Sequence, residues 1–132
     1  MKNLFSVEGK IALVTGGSRG IGLMIARGFV ENGACVYVAS RKAEECEKVA
    51  KDLSKFGDCH GIAADLSTQD GAKKLADEVG KRTSKLDVLV NNAGANWGAP
   101  MAEYPDAAWD KVLGLNVKGV FHLTVACLPL LE

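Results

Sequence analysis

The sequence lacks the features that define several classes of protein. It has no excess charge of either sign, since 16 Lys plus Arg balance 16 Asp plus Glu, so no net field attracts nucleic acid or an anionic membrane. Its four cysteines form no Cys-x-x-Cys pair and have no histidine at zinc-ligand spacing. We therefore predict reduced thiols, no metal site, no nucleic-acid partner and a cytoplasmic location.

Long apolar segments are also missing. The N-terminus reaches charged Glu8 and Lys10 before any long apolar stretch, so it lacks the hydrophobic region of a signal peptide. The longest mostly apolar run, residues 120–131, contains His122 and Pro129 and is too short to span a bilayer. The sequence therefore predicts a protein without a membrane partner.

Short apolar runs do occur, and they alternate with segments of helical periodicity. Alternation of strand and helix predicts an α/β fold, a Rossmann-type doubly wound parallel sheet with helices on both faces. The predicted strands are residues 11–14, 35–39, 60–64 and 86–90. Helices are predicted from Ile21, from residue 42 and from Ser67, followed by a short helix opened by Pro105 and a last helix starting near Asn116.

Two of these helices carry more detailed signals. Ile21, Ile25 and Phe29 recur every four residues, with Ala26 and Val30 beside them, and predict the apolar face of the first helix. Ser67 with Asp70 predicts a capping box that opens the third helix.

Glycine is abundant, with 15 among 132 residues, and four of the glycines lie in one loop. The loop, Thr-Gly-Gly-Ser-Arg-Gly-Ile-Gly at residues 15–22, separates the first strand from the first helix. Glycines let the backbone approach a ligand, and the helix N-terminus offers free N–H groups to a pyrophosphate. No Lys-Ser or Lys-Thr follows, so a P-loop is excluded, whereas a merely structural turn stays an alternative. The candidate ligand-binding residues are Gly16, Ser18, Arg19, Gly20, Ile21 and Gly22.

The end of the second strand indicates which dinucleotide would bind. Ser40 and Arg41 lie there, Arg41 being 19 residues past the last loop glycine, where an NAD site carries an acidic residue. A cation suits a 2′-phosphate, which Arg19 would grip from the other side. We predict NADP(H) rather than NAD(H). The alternatives are that Arg41 is simply solvated, or that Glu44 or Glu45 binds the ribose, although their place inside the helix predicts that they point away.

At these positions the chain resembles the short-chain dehydrogenase/reductase family along its whole length. Residues 15–22 resemble the family's cofactor loop, residues 64–66 (Ala-Asp-Leu) its adenine-side motif, and residues 91–94 (Asn-Asn-Ala-Gly) its motif after strand four. Asn116, 25 residues after Asn91, is similar to the asparagine of its catalytic helix. Within the family the chain looks like the ketoacyl reductases of rhamnolipid synthesis, the 3-oxoacyl-[acyl-carrier-protein] reductase type. That narrower likeness lies in residues 4–6, 57–59, 97–99 and 104–105.

The resemblance implies a role for each matched residue. Asp65 would accept a hydrogen bond from the adenine amino group, with Leu66 adding a backbone contact; the alternative is an Asp that only precedes a helix. Asn116 would hold a water of a proton relay, unless it bonds its own helix backbone. Asn92 would brace the turn. The residues that would line the cofactor ribose are Asn91, Ala93 and Gly94.

The resemblance also implies an activity, reduction of a ketone or 3-oxoacyl thioester by hydride from NADPH, and a homo-oligomeric parent enzyme. The family's catalysis uses a Ser and a Tyr-x-x-x-Lys pair. Tyr37 is followed four residues later by Arg41, and Tyr104 by Ala108, so neither fits. We predict that the 132-residue chain alone is inactive.

The pattern contains no fifth strand, which leaves the fourth as an open apolar edge, and folded proteins avoid such edges. We predict that residues 1–132 are the dinucleotide-binding part of a single domain whose catalytic C-terminal part is absent. The alternatives are a four-stranded domain complete in itself, a non-catalytic NADP-binding module that docks a protein through its apolar last helix, and a truncated gene product.

Overall fold

Four parallel strands form the centre of the protein, whose computed structural model describes residues 4–132. The strands are β1 (Ile11–Thr15), β2 (Cys35–Ser40), β3 (Cys59–Ala63) and β4 (Val88–Val90). Their order in the sheet is β3-β2-β1-β4, and every pairing is parallel. The chain therefore leaves β1 in one direction for β2 and β3 and returns to its other side for β4, which creates a topological switch point between β1 and β4.

The described residues form five helices. They are α1 (Gly20–Glu31), α2 (Ala43–Leu53), α3 (Gln69–Arg82), α4 (Asp106–Leu113) and α5 (Val120–Leu131). Of these, α1 and α2 cover one face of the sheet, and α3 and α5 cover the other. A short 3₁₀ turn, Met101–Glu103, precedes α4, and a π-helical segment, Gly114–Gly119, joins α4 to α5. The predicted doubly wound fold is confirmed, and the predicted strands agree with the observed ones to within a residue or two.

Alternating residues of the strands supply two separate cores. In β1, Ala12 and Val14 pack with α1 and α2, whereas Leu13 packs on the opposite face with α3 and α5. All three are fully buried. This is the pattern of a strand covered on both faces, which explains why the strands appear as continuous apolar runs.

The buried side of α1 is largely the predicted one. Ala26 and Val30 are buried together with Gly22, and Ile25 and Phe29 are partly buried against the same core. The prediction is wrong for Ile21, which is 66% exposed, because α1 rests on the loop before it through Gly22.

The start of α3 also differs by one residue. Thr68, not Ser67, is the N-cap, and its hydroxyl accepts a hydrogen bond from the N–H of Gly71 at 3.0 Å. Ser67 instead donates its hydroxyl hydrogen to Asp65 at 2.6 Å. The predicted capping box is wrong because this turn uses the Ser67 hydroxyl to hold Asp65.

The last helix does not start near Asn116, as the pattern predicted. Residues 106–131 are continuously helical, and Asn116 lies inside the π-helical segment. Gly114, which ends α4, keeps helical dihedral angles of φ −59° and ψ −45°, so the chain has no break there. Segments of this kind are often found at functional sites.

The continuous helix Asp106–Leu131 is 26 residues long, and by length and composition it qualifies as a candidate membrane span. The prediction that no segment spans a membrane rested on residues 120–131 alone, which are too short to cross a bilayer. Core helices of soluble proteins pass the same test, so this helix is weak evidence for a membrane location.

The packing of α5 on the sheet leads to a stability test. Leu123 is 1% exposed and belongs to the core with α3, so Leu123→Ala should lower the free energy of unfolding by about 2–5 kcal/mol. Leu128 is on the same helix but 42% exposed, so Leu128→Ala should cost less than about 1 kcal/mol. Urea denaturation at low protein concentration measures both, and equal losses would contradict the assignment of the buried face.

Candidate functional site

The predicted site residues gather at the carboxyl ends of β1, β2 and β4, beside the topological switch point. The loop after β1 leads directly into α1, and the segment after β4 lies next to that loop through hydrogen bonds from Asn92. Open α/β sheets bind their ligands in this crevice.

Two glycines bring α1 against the end of β1. Gly16 has a φ of +64°, a conformation that side chains disfavour, and its N–H donates to the carbonyl of Ala39 in β2 at 2.8 Å. A Cβ on Gly22 would collide with the carbonyl oxygen of Gly16. The first turn of α1 therefore lies directly against the loop.

The N-terminus of α1 has no side-chain cap among the described residues and no acidic residue in its first turn. Arg19 occupies the N-cap position. The amide groups and the positive end of the helix dipole are thus available to an anion. Arg19, Gly20 and Ile21 are exposed here and Ser18 is half-buried.

Thr15, which the sequence reasoning did not single out, joins the two halves of the site. Its buried hydroxyl accepts hydrogen bonds from the N–H groups of Asn92 at 3.0 Å and Ala93 at 2.9 Å. The same hydroxyl donates to the carbonyl of Val90 at 3.2 Å. One oxygen therefore ties the end of β1 to the turn after β4. Its place at the start of the glycine-rich loop, directly before Gly16, was the only feature of the sequence that pointed to this role.

The two asparagines of the segment after β4 have different partners. Asn92 donates its side-chain N–H to the carbonyl of Gly16 at 3.2 Å, in agreement with the predicted bracing role. Asn91 is exposed, and its side-chain amide donates to the hydroxyl of Thr124 in α5 at 3.3 Å. Ala93 is half-buried, and Gly94 is exposed.

Asn116 holds the next part of that segment in place. Its Oδ1 accepts from the N–H of Ala95, and its Nδ2 donates to the carbonyl of the same residue, both at 2.8 Å. Asn116 therefore does not bond its own helix backbone. If Gly94 carried a side chain, its Cβ would lie only 3.2 Å from this Oδ1, so Asn116 also packs closely against Gly94.

Asp65 and Leu66 follow β3 at the same end of the sheet. The side-chain oxygen of Asp65 accepts hydrogen bonds from the hydroxyl of Ser67 at 2.6 Å and from its N–H at 3.0 Å. These bonds, with the positive charge of Arg41 as a smaller contribution, hold the pKa of Asp65 below its usual value. Asp65 is exposed and stays ionised near neutral pH, whereas the side chain of Leu66 is buried.

Near the end of β2, one acidic side chain has an orientation that differs from the predicted one. Arg41 is exposed at the loop between β2 and α2, and Ser40 contacts Cys46 with 3.0 Å between Oγ and Sγ. Glu45 does not point away from the site, because its carboxylate accepts a hydrogen bond from Ser18 at 3.4 Å. The prediction fails because α2 begins only at Ala43, which places Glu45 in its first turn, facing the glycine loop.

The Thr15 contacts predict a local change in dynamics. Thr15→Val keeps the shape but removes the hydroxyl, so the N–H groups of Asn92 and Ala93 should exchange with solvent at least about tenfold faster. Amide hydrogen exchange measured by NMR tests this. Thr15→Ser keeps the hydroxyl and should keep the protection; unchanged exchange in Thr15→Val would refute the proposed connection.

Comparison with known proteins gives matches over nearly the whole chain. The family model for short chain dehydrogenases matches residues 10–132. The rhamnolipids biosynthesis 3-oxoacyl-[acyl-carrier-protein] reductase of Pseudomonas aeruginosa is 53% identical over 132 residues, which are 100% of this chain and 52% of the relative.

Solved structures agree with this match. The Pseudomonas aeruginosa RhlG/NADP active-site complex superposes with a TM-score of 0.94 at 52% identity, covering 98% of this chain and 51% of that one. The L-sorbose reductase of Gluconobacter frateurii, complexed with NADPH and L-sorbose, has a TM-score of 0.89 at 32% identity, covering 94% and 48%. The chain spans about half the length of the curated relatives that it matches. Because the matches extend over both the fold and the motifs of the crevice, we conclude that the chain belongs to the short-chain dehydrogenase family.

Proposed function

We propose that this chain is the cofactor-binding part of an oxidoreductase that uses NADP(H) to reduce a ketone or a 3-oxoacyl thioester by hydride transfer. The observation that carries the proposal is the N-terminus of α1. It lies at the switch point of the sheet and, among the described residues, has no side-chain cap. It rests against the loop through Gly22, where a Cβ would collide with the carbonyl oxygen of Gly16. This geometry fits a pyrophosphate held by backbone amides.

The charges around the loop favour the phosphorylated dinucleotide. Arg19 and Arg41 are both exposed at the crevice and offer charge-assisted hydrogen bonds to a 2′-phosphate. The carboxylate of Glu45 is the opposing charge, and Lys42 partly offsets it at 3.6 Å. Two of the solved relatives are complexes with NADP or NADPH, which supports this preference.

In the proposed mechanism the bound dinucleotide supplies the hydride. The residues of this chain would orient it: Asp65 would accept a hydrogen bond from the adenine end with Leu66 beside it, and the segment after β4 would line the ribose through Asn91, Ala93 and Gly94. Asn116 would hold a water of the proton relay, and it also positions this segment, because its side-chain amide bonds both the N–H and the carbonyl of Ala95.

The substrate proposal rests on similarity. A reductase named for a 3-oxoacyl-[acyl-carrier-protein] substrate is 53% identical to this chain over the 132 residues that align, so a 3-oxoacyl thioester is the proposed substrate class. The 132 residues contain no Tyr-x-x-x-Lys pair to donate the proton. We expect the chain alone to bind cofactor without turnover.

Self-association is part of the proposal. The outer side of the helix from α4 to α5 exposes a line of large apolar side chains, and a stripe of this size favours an interface. Its members are Trp109, Leu113, Val117, Phe121, Val125 and Leu128. A non-catalytic module that docks a different protein through this stripe is the alternative. Sedimentation of the unchanged chain and of the Phe121→Asp variant distinguishes the two alternatives. The substitution should dissociate a homo-oligomer, whereas a module that docks a different protein should sediment as a monomer with or without it.

Cofactor binding provides the first test. Arg41→Ala should weaken NADPH binding by about 10–100-fold, the equivalent of losing one hydrogen bond to a charged group, and should leave NADH binding unchanged. Arg27→Ala is the matched control, because Arg27 lies on α1 in an ion pair with Glu31 at 2.6 Å. Fluorescence titration of the unchanged chain and of both variants with NADPH and with NADH measures these affinities. If Arg27→Ala weakened NADPH binding as much as Arg41→Ala, or neither did, the assignment of Arg41 would be wrong.

Activity provides the second test. The protein extended by a reductase C-terminal half should oxidise NADPH with a 3-oxoacyl thioester, and Asn116→Ala should lower kcat by about 100-fold because the Ala95 segment shifts. Asn32→Ala, at the end of α1, is the control and should leave kcat unchanged. An extended protein that binds NADPH yet reduces no ketone or ketoacyl thioester would support the non-catalytic module.

A further inference from the structure

Three side chains that can bind metal meet at the amino ends of β2 and β3. The proposed cofactor crevice lies at the opposite, carboxyl ends of the strands. In the parallel register Tyr37 lies beside His60, so Cys35 and Asp58, two residues earlier in each strand, lie beside one another. Successive side chains of a strand alternate between faces, so these four residues share one face of the sheet. Cys35 and Asp58 are 23 residues apart in sequence, which is why spacing along the chain did not indicate a metal site.

The ligand atoms are close enough to hold one ion. The Cys35 Sγ, an Asp58 carboxylate oxygen and a His60 imidazole nitrogen all lie within 4.8 Å of one another. His60 Nε2 and Asp58 Oδ1 are 2.7 Å apart. Tetrahedral zinc places its ligand atoms about 3.3–3.8 Å apart, so small rotations of these side chains suffice.

The surroundings give the ion room and hold one ligand. A cavity of about 290 Å³ adjoins the cluster, and Cys35 and Asp58 are among its lining residues. The ring of Tyr37 stacks on His60 with 5.3 Å between centroids, which restricts the imidazole. The cluster therefore offers three protein ligands and an open side for water.

We propose that Cys35, Asp58 and His60 form a binding site for Zn²⁺ or a similar divalent transition-metal ion, with water as the fourth ligand. Sulfur, nitrogen and carboxylate oxygen together favour zinc over magnesium or calcium. The ion joins the amino ends of β2 and β3 and thereby stabilises an edge of the sheet. It takes no part in hydride transfer, because the site lies at the other end of the strands.

Binding has one identifiable cost. Burial, with Asp58 as a further contribution, raises the pKa of the Cys35 thiol to about 11. The ion must therefore displace a proton from this thiol when it binds.

Titration of the chain with Co²⁺, a spectroscopic substitute for zinc, tests the proposal. The chain should develop a thiolate-to-cobalt charge-transfer band that Cys35→Ser abolishes. His60→Gln should weaken Co²⁺ binding by at least about tenfold, since loss of even an outer-shell partner commonly weakens metal binding 10–100-fold. His122→Gln, at the only other histidine, is the matched control and should leave the affinity unchanged.

Circular dichroism checks that each variant is folded, and Asp58→Asn replaces His60→Gln if that variant is not. No cobalt–thiolate band at millimolar Co²⁺, a band that persists in Cys35→Ser, or equal losses in His60→Gln and His122→Gln would each overturn the proposal.

Discussion

The site depends on one packing constraint, the direct contact between the first turn of α1 and the end of β1. Gly22 permits this contact because even a methyl group there would collide with the carbonyl of Gly16. The carbonyl of Gly16 in turn accepts from Asn92, and the hydroxyl of Thr15 holds the adjacent N–H groups. Loop, helix and the segment after β4 therefore form one unit whose free helix amides face the crevice. A side chain at position 22 would separate all three.

The second half of the crevice is held from the helix side. Asn91 reaches Thr124 in α5, and Asn116 holds Ala95 from the π-helical segment. The segments around the crevice are thus held by hydrogen bonds between polar groups, whereas the two cores beneath are apolar. This division suits the proposed cofactor site, because a rigid apolar scaffold can position a polar rim.

Residues near the ends of elements were the hardest to predict. Arg41 directly follows β2, where the sequence placed it, since the strand is a buried apolar run whose direction is determined by parallel pairing; its role toward a phosphate stays a prediction. Glu45 and Ile21 were placed wrongly, because the side on which a helical residue lies depends on where its helix begins and what it rests against. The N-cap of α3 is Thr68 and not the predicted Ser67, because two adjacent residues with hydroxyl groups can both fill this position.

Local patterns were enough to predict the α/β class, the order of elements and the place of the glycine-rich loop at residues 15–22, because strand length, helical period and glycine conformation are properties of neighbouring residues. Contacts across the sheet belong to the folded state alone. Thr15 meets Asn92, and Cys35 meets Asp58, only once strands distant in sequence pair in one register. Register depends on the packing of both sheet faces against α1, α2, α3 and α5, and no segment of the chain carries that information by itself.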